Sequence, residues 1–157
     1  MVPVAELKDL KIFEALTSPT LDALSEDIVE RSFEPGDYIL HQHDEACALY
    51  ILLAGSVEFL MMIEGMEDLY VGETSEPGAL VGWSVLREPY RFTASVRCTE
   101  PSRVLKLPRD SLHRILNDDP TTGRYLVESV AAVLVERLDD ALELLGRLPK
   151  SGPRLGS

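Results

Sequence analysis

Between residues 33 and 107 the chain is a succession of short β-rich runs cut apart by glycine-bearing turns, and this punctuation limits the fold more than any other feature. Asp37-Tyr-Ile-Leu, Leu49-Tyr-Ile-Leu-Leu, Ser56-Val-Glu-Phe-Leu-Met-Met-Ile, Leu69-Tyr-Val, Phe92-Thr-Ala-Ser-Val and Arg103-Val-Leu-Lys-Leu carry the branched and aromatic side chains that suit a pleated surface. Glu34-Pro-Gly-Asp and Leu53-Ala-Gly-Ser are the clearest turns, because glycine accepts the positive φ that a tight turn requires. Short strands at these intervals predict a compact antiparallel barrel or roll. The class is α+β, mainly β.

Helical spacing flanks the roll. Leu7, Leu10 and Phe13 form one stripe within residues 4–16, and Leu21, Leu24 and Ile28 form another within 19–30, where Ser18 before Pro19 supplies a start signal. After the roll, residues 108–117 predict a short helix, and Asp119-Pro120 an N-cap and first-turn proline for a much longer one. In the long helix Val127, Ala131, Leu134, Leu138, Ala141, Leu145 and Leu148 recur at alternating steps of four and three, the spacing of a heptad seam. A second stripe, Leu126, Val130 and Val133, lies on another face. One face is expected to pack on the roll and the other to form a homodimer; the alternative is that both stripes bury within one chain. Residues 149–157 have linker composition and are expected to be disordered. The expected domain spans 1–148: helices over 4–30, a β-roll over 33–107 and C-terminal helices over 108–148.

At 157 residues a single domain with its own core is expected. A net charge of −12 creates a field that repels nucleic acid and anionic lipid, so neither is an expected partner. Cys47 and Cys98 form no CxxC pair, and the N-terminus lacks the pattern of a signal peptide. No window approaches the roughly 18 uninterrupted apolar residues of a membrane span. A soluble, cytoplasmic protein is the expectation.

Helices, a glycine-punctuated roll and a long closing helix follow the order of the cyclic-nucleotide-binding domain, and the chain resembles the sensor half of Crp/Fnr-type regulators over about residues 7–145. Gly36 in Pro-Gly-Asp-Tyr-Ile, Gly55 in Tyr-Ile-Leu-Leu-Ala-Gly-Ser-Val-Glu and Gly82 in Leu-Val-Gly-Trp resemble the family's turn glycines, and Arg91-Phe-Thr-Ala-Ser-Val resembles its Arg-Thr/Ser-Ala-x-Val strand. The resemblance implies a roll of that type whose phosphate-binding cassette occupies residues 78–96. Gly82, Trp83, Ser84, Arg91, Phe92, Thr93 and Ala94 are then the site candidates.

In the family a glutamate holds the ribose and an arginine pairs with the cyclic phosphate; at the matching positions this chain has Trp83 and Phe92. Each lost contact is worth roughly 1.5–3 kcal/mol, together about 10²–10⁴ in affinity. Arg91, adjacent to Phe92, and Arg87 are candidates to take over the phosphate. Past Arg137-Leu138, where the family's base contacts lie, Asp139, Asp140, Ala141 and Leu142 match poorly. Retained binding of cAMP or cGMP, a different ligand in a more apolar pocket, and no ligand all stay open. A winged helix-turn-helix needs about 70 residues beyond the long helix, and only 149–157 follow Leu148. The expectation is a stand-alone regulatory module without a DNA-binding half, acting on a protein effector through a homodimer. The alternative is a scaffold dimer whose pocket Trp83 and Phe92 fill.

Other constellations are weaker. His41 and His43 beside Asp44 and Glu45 fit a solvated strand end better than a metal site, and Cys98 beside Arg97 fits packing better than redox chemistry. No nucleophile elbow, P-loop, dinucleotide fingerprint or zinc-protease motif occurs, so an enzyme is not expected.

Overall fold

A computed structural model describes residues 2–147, with backbone alone for residues 67 and 68. The punctuated interval folds into two four-stranded antiparallel sheets. Their strands are β1 (Val29–Phe33), β2 (Tyr38–Leu40), β3 (Ala48–Ala54), β4 (Val57–Ile63), β5 (Met66–Thr74), β6 (Leu80–Val81), β7 (Ser95–Cys98) and β8 (Ser102–Pro108). One sheet has the order β1-β8-β3-β6 and the other β2-β7-β4-β5. Alternation decides which side chains enter the core. In β7, Val96 and Cys98 are buried while Ser95 and Arg97 face outward, where Arg97 Nε donates to Glu58 Oε1 at 2.8 Å across the pair. In β3 residues of both parities are buried, because this strand is covered on both faces. Leu49, Ile51, Val57, Leu105 and Leu107 are at most 1% exposed.

The turn glycines Gly36, Gly55 and Gly82 all have positive φ, at 92°, 102° and 84°. At Gly55 a Cβ would also sit 2.6 Å from the Pro101 carbonyl oxygen, so the β3–β4 turn excludes any side chain.

Two expected elements came out differently. The N-terminal pattern yields α1 (Val4–Lys8) and a separate 3₁₀ turn (Lys11–Phe13) instead of one helix over 4–16. Its three-residue spacing is realised as i→i+3 bonds, with Leu10 N donating to Leu7 O, Phe13 N to Leu10 O and Leu16 N to Phe13 O. The second helix, α2 (Ser18–Asp27), stops short of residue 30: Ile28 is extended, and Val29–Phe33 instead pairs with β8, Arg31 opposite Val104. Tertiary pairing overrides the helical stripe there. The Ser18 signal marks the helix start, but the N-cap is Thr17 and no side chain caps it.

After the roll come α3 (Arg109–Asp118) and α4 (Pro120–Gly146), the latter about 40 Å long at 1.5 Å per residue. Asp119 caps α4 as expected: its carboxylate accepts from Thr122 N at 3.1 Å and from Thr122 Oγ1 at 2.6 Å. These bonds from Thr122 hold the Asp119 carboxyl below the usual range. No helix among the described residues is long and apolar enough to cross a membrane.

The two faces of α4 separate. Leu126 and Val130 are 1% exposed against the core, and Val133 is half-buried. Val127, Ala131, Leu138 and Leu145 face outward. Leu134 and Ala141, placed on the seam by strict heptad spacing, turn partly toward the roll, and Val135 and Leu142 are exposed in their stead. A straight helix has 3.6 residues per turn, so a 3.5-residue pattern drifts around it. Leu148 and the tail at 149–157 lie outside the described residues.

Candidate functional site

The cassette begins where β6 ends. Leu80 and Val81 pair with Ile51 and Tyr50, and Gly82 then turns the backbone into a 3₁₀ turn at Trp83–Leu86, anchored by the fully buried Val85. A Cβ on Gly82 would stand 3.0 Å from Phe92 Cε1, 3.2 Å from Leu40 Cδ2 and 3.3 Å from the Ala48 carbonyl oxygen. Close approach and left-handed φ both require glycine there.

The return of the chain is held by the loop before β3 and lies outside the strand expected over 92–96, of which only residues 95 and 96 belong to β7. Ala46 N donates to Tyr90 O at 2.7 Å, Phe92 N to Asp44 O at 3.0 Å and His43 N to Phe92 O at 2.8 Å. This local pairing points Phe92 into the core, where it is 6% exposed, and leaves Arg91 at the surface, its Nη1 donating to the His43 carbonyl at 3.4 Å. The adjacent arginine and phenylalanine therefore face opposite ways.

Two spaces meet at Trp83. The inner one, between Gly82, Ser84, Leu40, Phe92 and Val96, measures only about 20 Å³. That is room for about one water molecule and none for a phosphate. The outer one measures about 570 Å³, within the range of small-molecule sites. It lies between the β4–β5 hairpin and α4. Trp83, Thr93 and Ala94 border both spaces, as does Phe59. Arg91 and Arg87 border neither. Thus Gly82, Trp83, Ser84, Phe92, Thr93 and Ala94 are gathered around one cleft, and Arg91 stands apart from it.

Two cations border the outer space, Arg147 at the end of α4 and Arg137 within it. The Arg137 guanidinium carbon lies 4.1 Å from the centroid of the Phe59 ring, and its Nη1 donates to the Glu73 carbonyl at a long 3.4 Å. Its Nε is buried with no partner among the described residues. Burial is the largest influence on this guanidinium and pulls its pKa below the ordinary arginine value, while the Asp140 charge pushes it up. In the sequence, Arg137 served only as a landmark for base contacts. Its spacing does carry a signal: it follows Leu134 by three residues, which places the charge beside the stripe that turns toward the roll.

The remaining candidates are ordinary. Cys98 is buried and its thiol is pushed up by that burial, against thiolate chemistry. His41 stacks on Tyr38 with centroids 4.6 Å apart.

Comparison with known proteins agrees with this architecture. Residues 30–119 match the model of the cyclic nucleotide-binding domain. Potassium channel KAT1 of Arabidopsis thaliana is 29% identical over 127 residues, covering 78% of this chain and 18% of the channel. The chain spans under a quarter of the length of the curated relatives it matches. Among solved structures, a candidate cyclic nucleotide-binding protein from Geobacter metallireducens GS-15 is 30% identical with a TM-score of 0.78, covering 88% of this chain and 99% of that one. The catabolite activator protein of Thermus thermophilus is 25% identical with a TM-score of 0.66, covering 87% of this chain and 63% of that one.

Proposed function

The chain belongs to the cyclic nucleotide-binding domain family, and from that premise we propose that it is a regulatory sensor module in which the cyclic-phosphate subsite has closed. Cyclic AMP and cyclic GMP then bind weakly or not at all, and a homodimer formed along α4 passes the state of the outer cleft to a protein effector. The observation that carries this reading is the 20 Å³ left in the subsite beside the buried Phe92. A cyclic phosphate needs both space and a counter-charge there, and the cassette's two arginines, Arg87 and Arg91, border neither space, Arg91 facing the His43 carbonyl. The outer cleft stays open, which favours a sensor over a scaffold with a self-filled pocket.

Support for the dimer is the apolar stripe of α4. Val127 is 43% exposed, Val135 and Leu138 57%, Leu142 56% and Leu145 60%. Such a row along one helix is the kind of patch that marks an association surface. Because α4 walls the cleft through Leu134, Arg137 and Ala141, a ligand that fits one placement of the helix better than another shifts the dimer by that difference in affinity.

Titration with cyclic AMP and cyclic GMP, followed by Trp83 fluorescence and melting temperature, tests the closed subsite. The expected outcome is no saturable response up to millimolar nucleotide. Saturable stabilisation at micromolar concentration would overturn it.

A further inference from the structure

We infer that the outer cleft is a binding site for a small organic monoanion, an apolar body with a single carboxylate or similar oxyanion head, held by Arg137 of α4. This rests on the reading above, in which the cassette no longer holds a phosphate, and it reverses the polarity of the site: the charge is bound from the helix and the apolar part faces the cassette.

Two observations carry it. The first is an unfinished guanidinium. Arginine offers five N–H donors, yet within the described residues Arg137 makes one long bond to a backbone carbonyl, no ion pair, and buries Nε without an acceptor. A half-buried guanidinium that faces only the Phe59 ring and one backbone carbonyl gains from an acceptor, and a carboxylate matches its planar fork. The second is the cleft's lining, in which Phe59, Met61, Trp83, Leu134 and Leu138 supply apolar walls around this guanidinium, which forms no ion pair among the described residues.

The other charges select the ligand's valence. Arg147 borders the cleft but is bonded to Glu143 at 2.6 Å, so it is not free to take the anion. Glu73 and Asp140 stand exposed at the rim and make no ion pair with Arg137. A ligand with several negative charges meets these carboxylates, whereas a monoanion that inserts its head beside Arg137 leaves only its apolar body near them. Polyphosphates are disfavoured on the same ground.

The test compares an acid with its neutral isostere. Calorimetry of the full chain with 3-phenylpropionate and with 3-phenylpropionamide is expected to show the acid binding at least about tenfold more tightly, with Trp83 fluorescence changing in step. Arg137→Gln is expected to erase that preference, Arg137→Lys to keep part of it and Arg147→Gln to keep it, with unliganded melting temperatures recorded to establish that each variant is folded. Equal binding of acid and amide, binding of neither at millimolar concentration, or an acid preference that survives in folded Arg137→Gln would each overturn the proposal. Failure of the closed-subsite reading is separate, since it is registered by cyclic nucleotides and not by this pair.

Discussion

The inner and outer halves of the cleft share Phe59, Trp83, Thr93 and Ala94 as walls and differ in volume and in charge. The inner half keeps the backbone of a phosphate cassette, with a left-handed Gly82, a 3₁₀ turn and a returning segment, yet Phe92 leaves it room for about one water. The outer half has no comparable backbone device, but it has volume and a guanidinium whose Nε has no partner among the described residues. Backbone geometry and chemical capacity are thus separable: the turn at Gly82 is packed closely against Leu40, Phe92 and the Ala48 carbonyl.

The contrast can be broken most forcefully by restoring the inner charges. Trp83→Glu together with Phe92→Arg replaces bulk by a carboxylate and a guanidinium, and the expected gain in cyclic AMP affinity is about 10²–10⁴, measured by calorimetry. No gain would mean that backbone placement, and not side-chain identity, closes the subsite. Next in size is Gly82→Ala. It forces a Cβ into left-handed backbone and against Phe92, and is expected to cost about 2–4 kcal/mol in urea denaturation; a loss below about 0.5 kcal/mol would show the inner half to be looser than its contacts indicate. The smallest effect on the folded chain is expected from Leu138→Asp with Leu142→Asp. Both residues are more than half exposed, so unfolding free energy per chain should change little beyond the loss of association. Sedimentation should nevertheless give monomers, and a persistent dimer would move the interface off α4.

Much of this was legible in the chain because it depends on local rules. Turn glycines, the Asp119-Pro120 start of α4 and the change from strand to helix period are short-range signals, and the structure has each where the sequence places it. The β1 strand was not legible: Val29–Phe33 is an exposed edge whose conformation depends on the partner β8, and Ile28 also fits the preceding helical stripe. The two-residue β6 is too short to leave a pattern. At the site, the gathering of Trp83 and Phe92 beside Gly82 was visible in the sequence. That Arg91 borders neither space was not, because it depends on residues 90–92 bonding to residues 43–46, far away in the chain.

The sequence by itself determined the architecture and the family, since turn chemistry and hydrophobic period are properties of neighbouring positions. Only the tertiary structure decided that the inner space measures about 20 Å³, that the heptad drifts to expose Val135 and Leu142, and that Arg137 borders the outer cleft. Each of these depends on side chains far apart in the chain meeting across the β4–β5 hairpin, the cassette and α4, and volume and burial exist only once those elements pack.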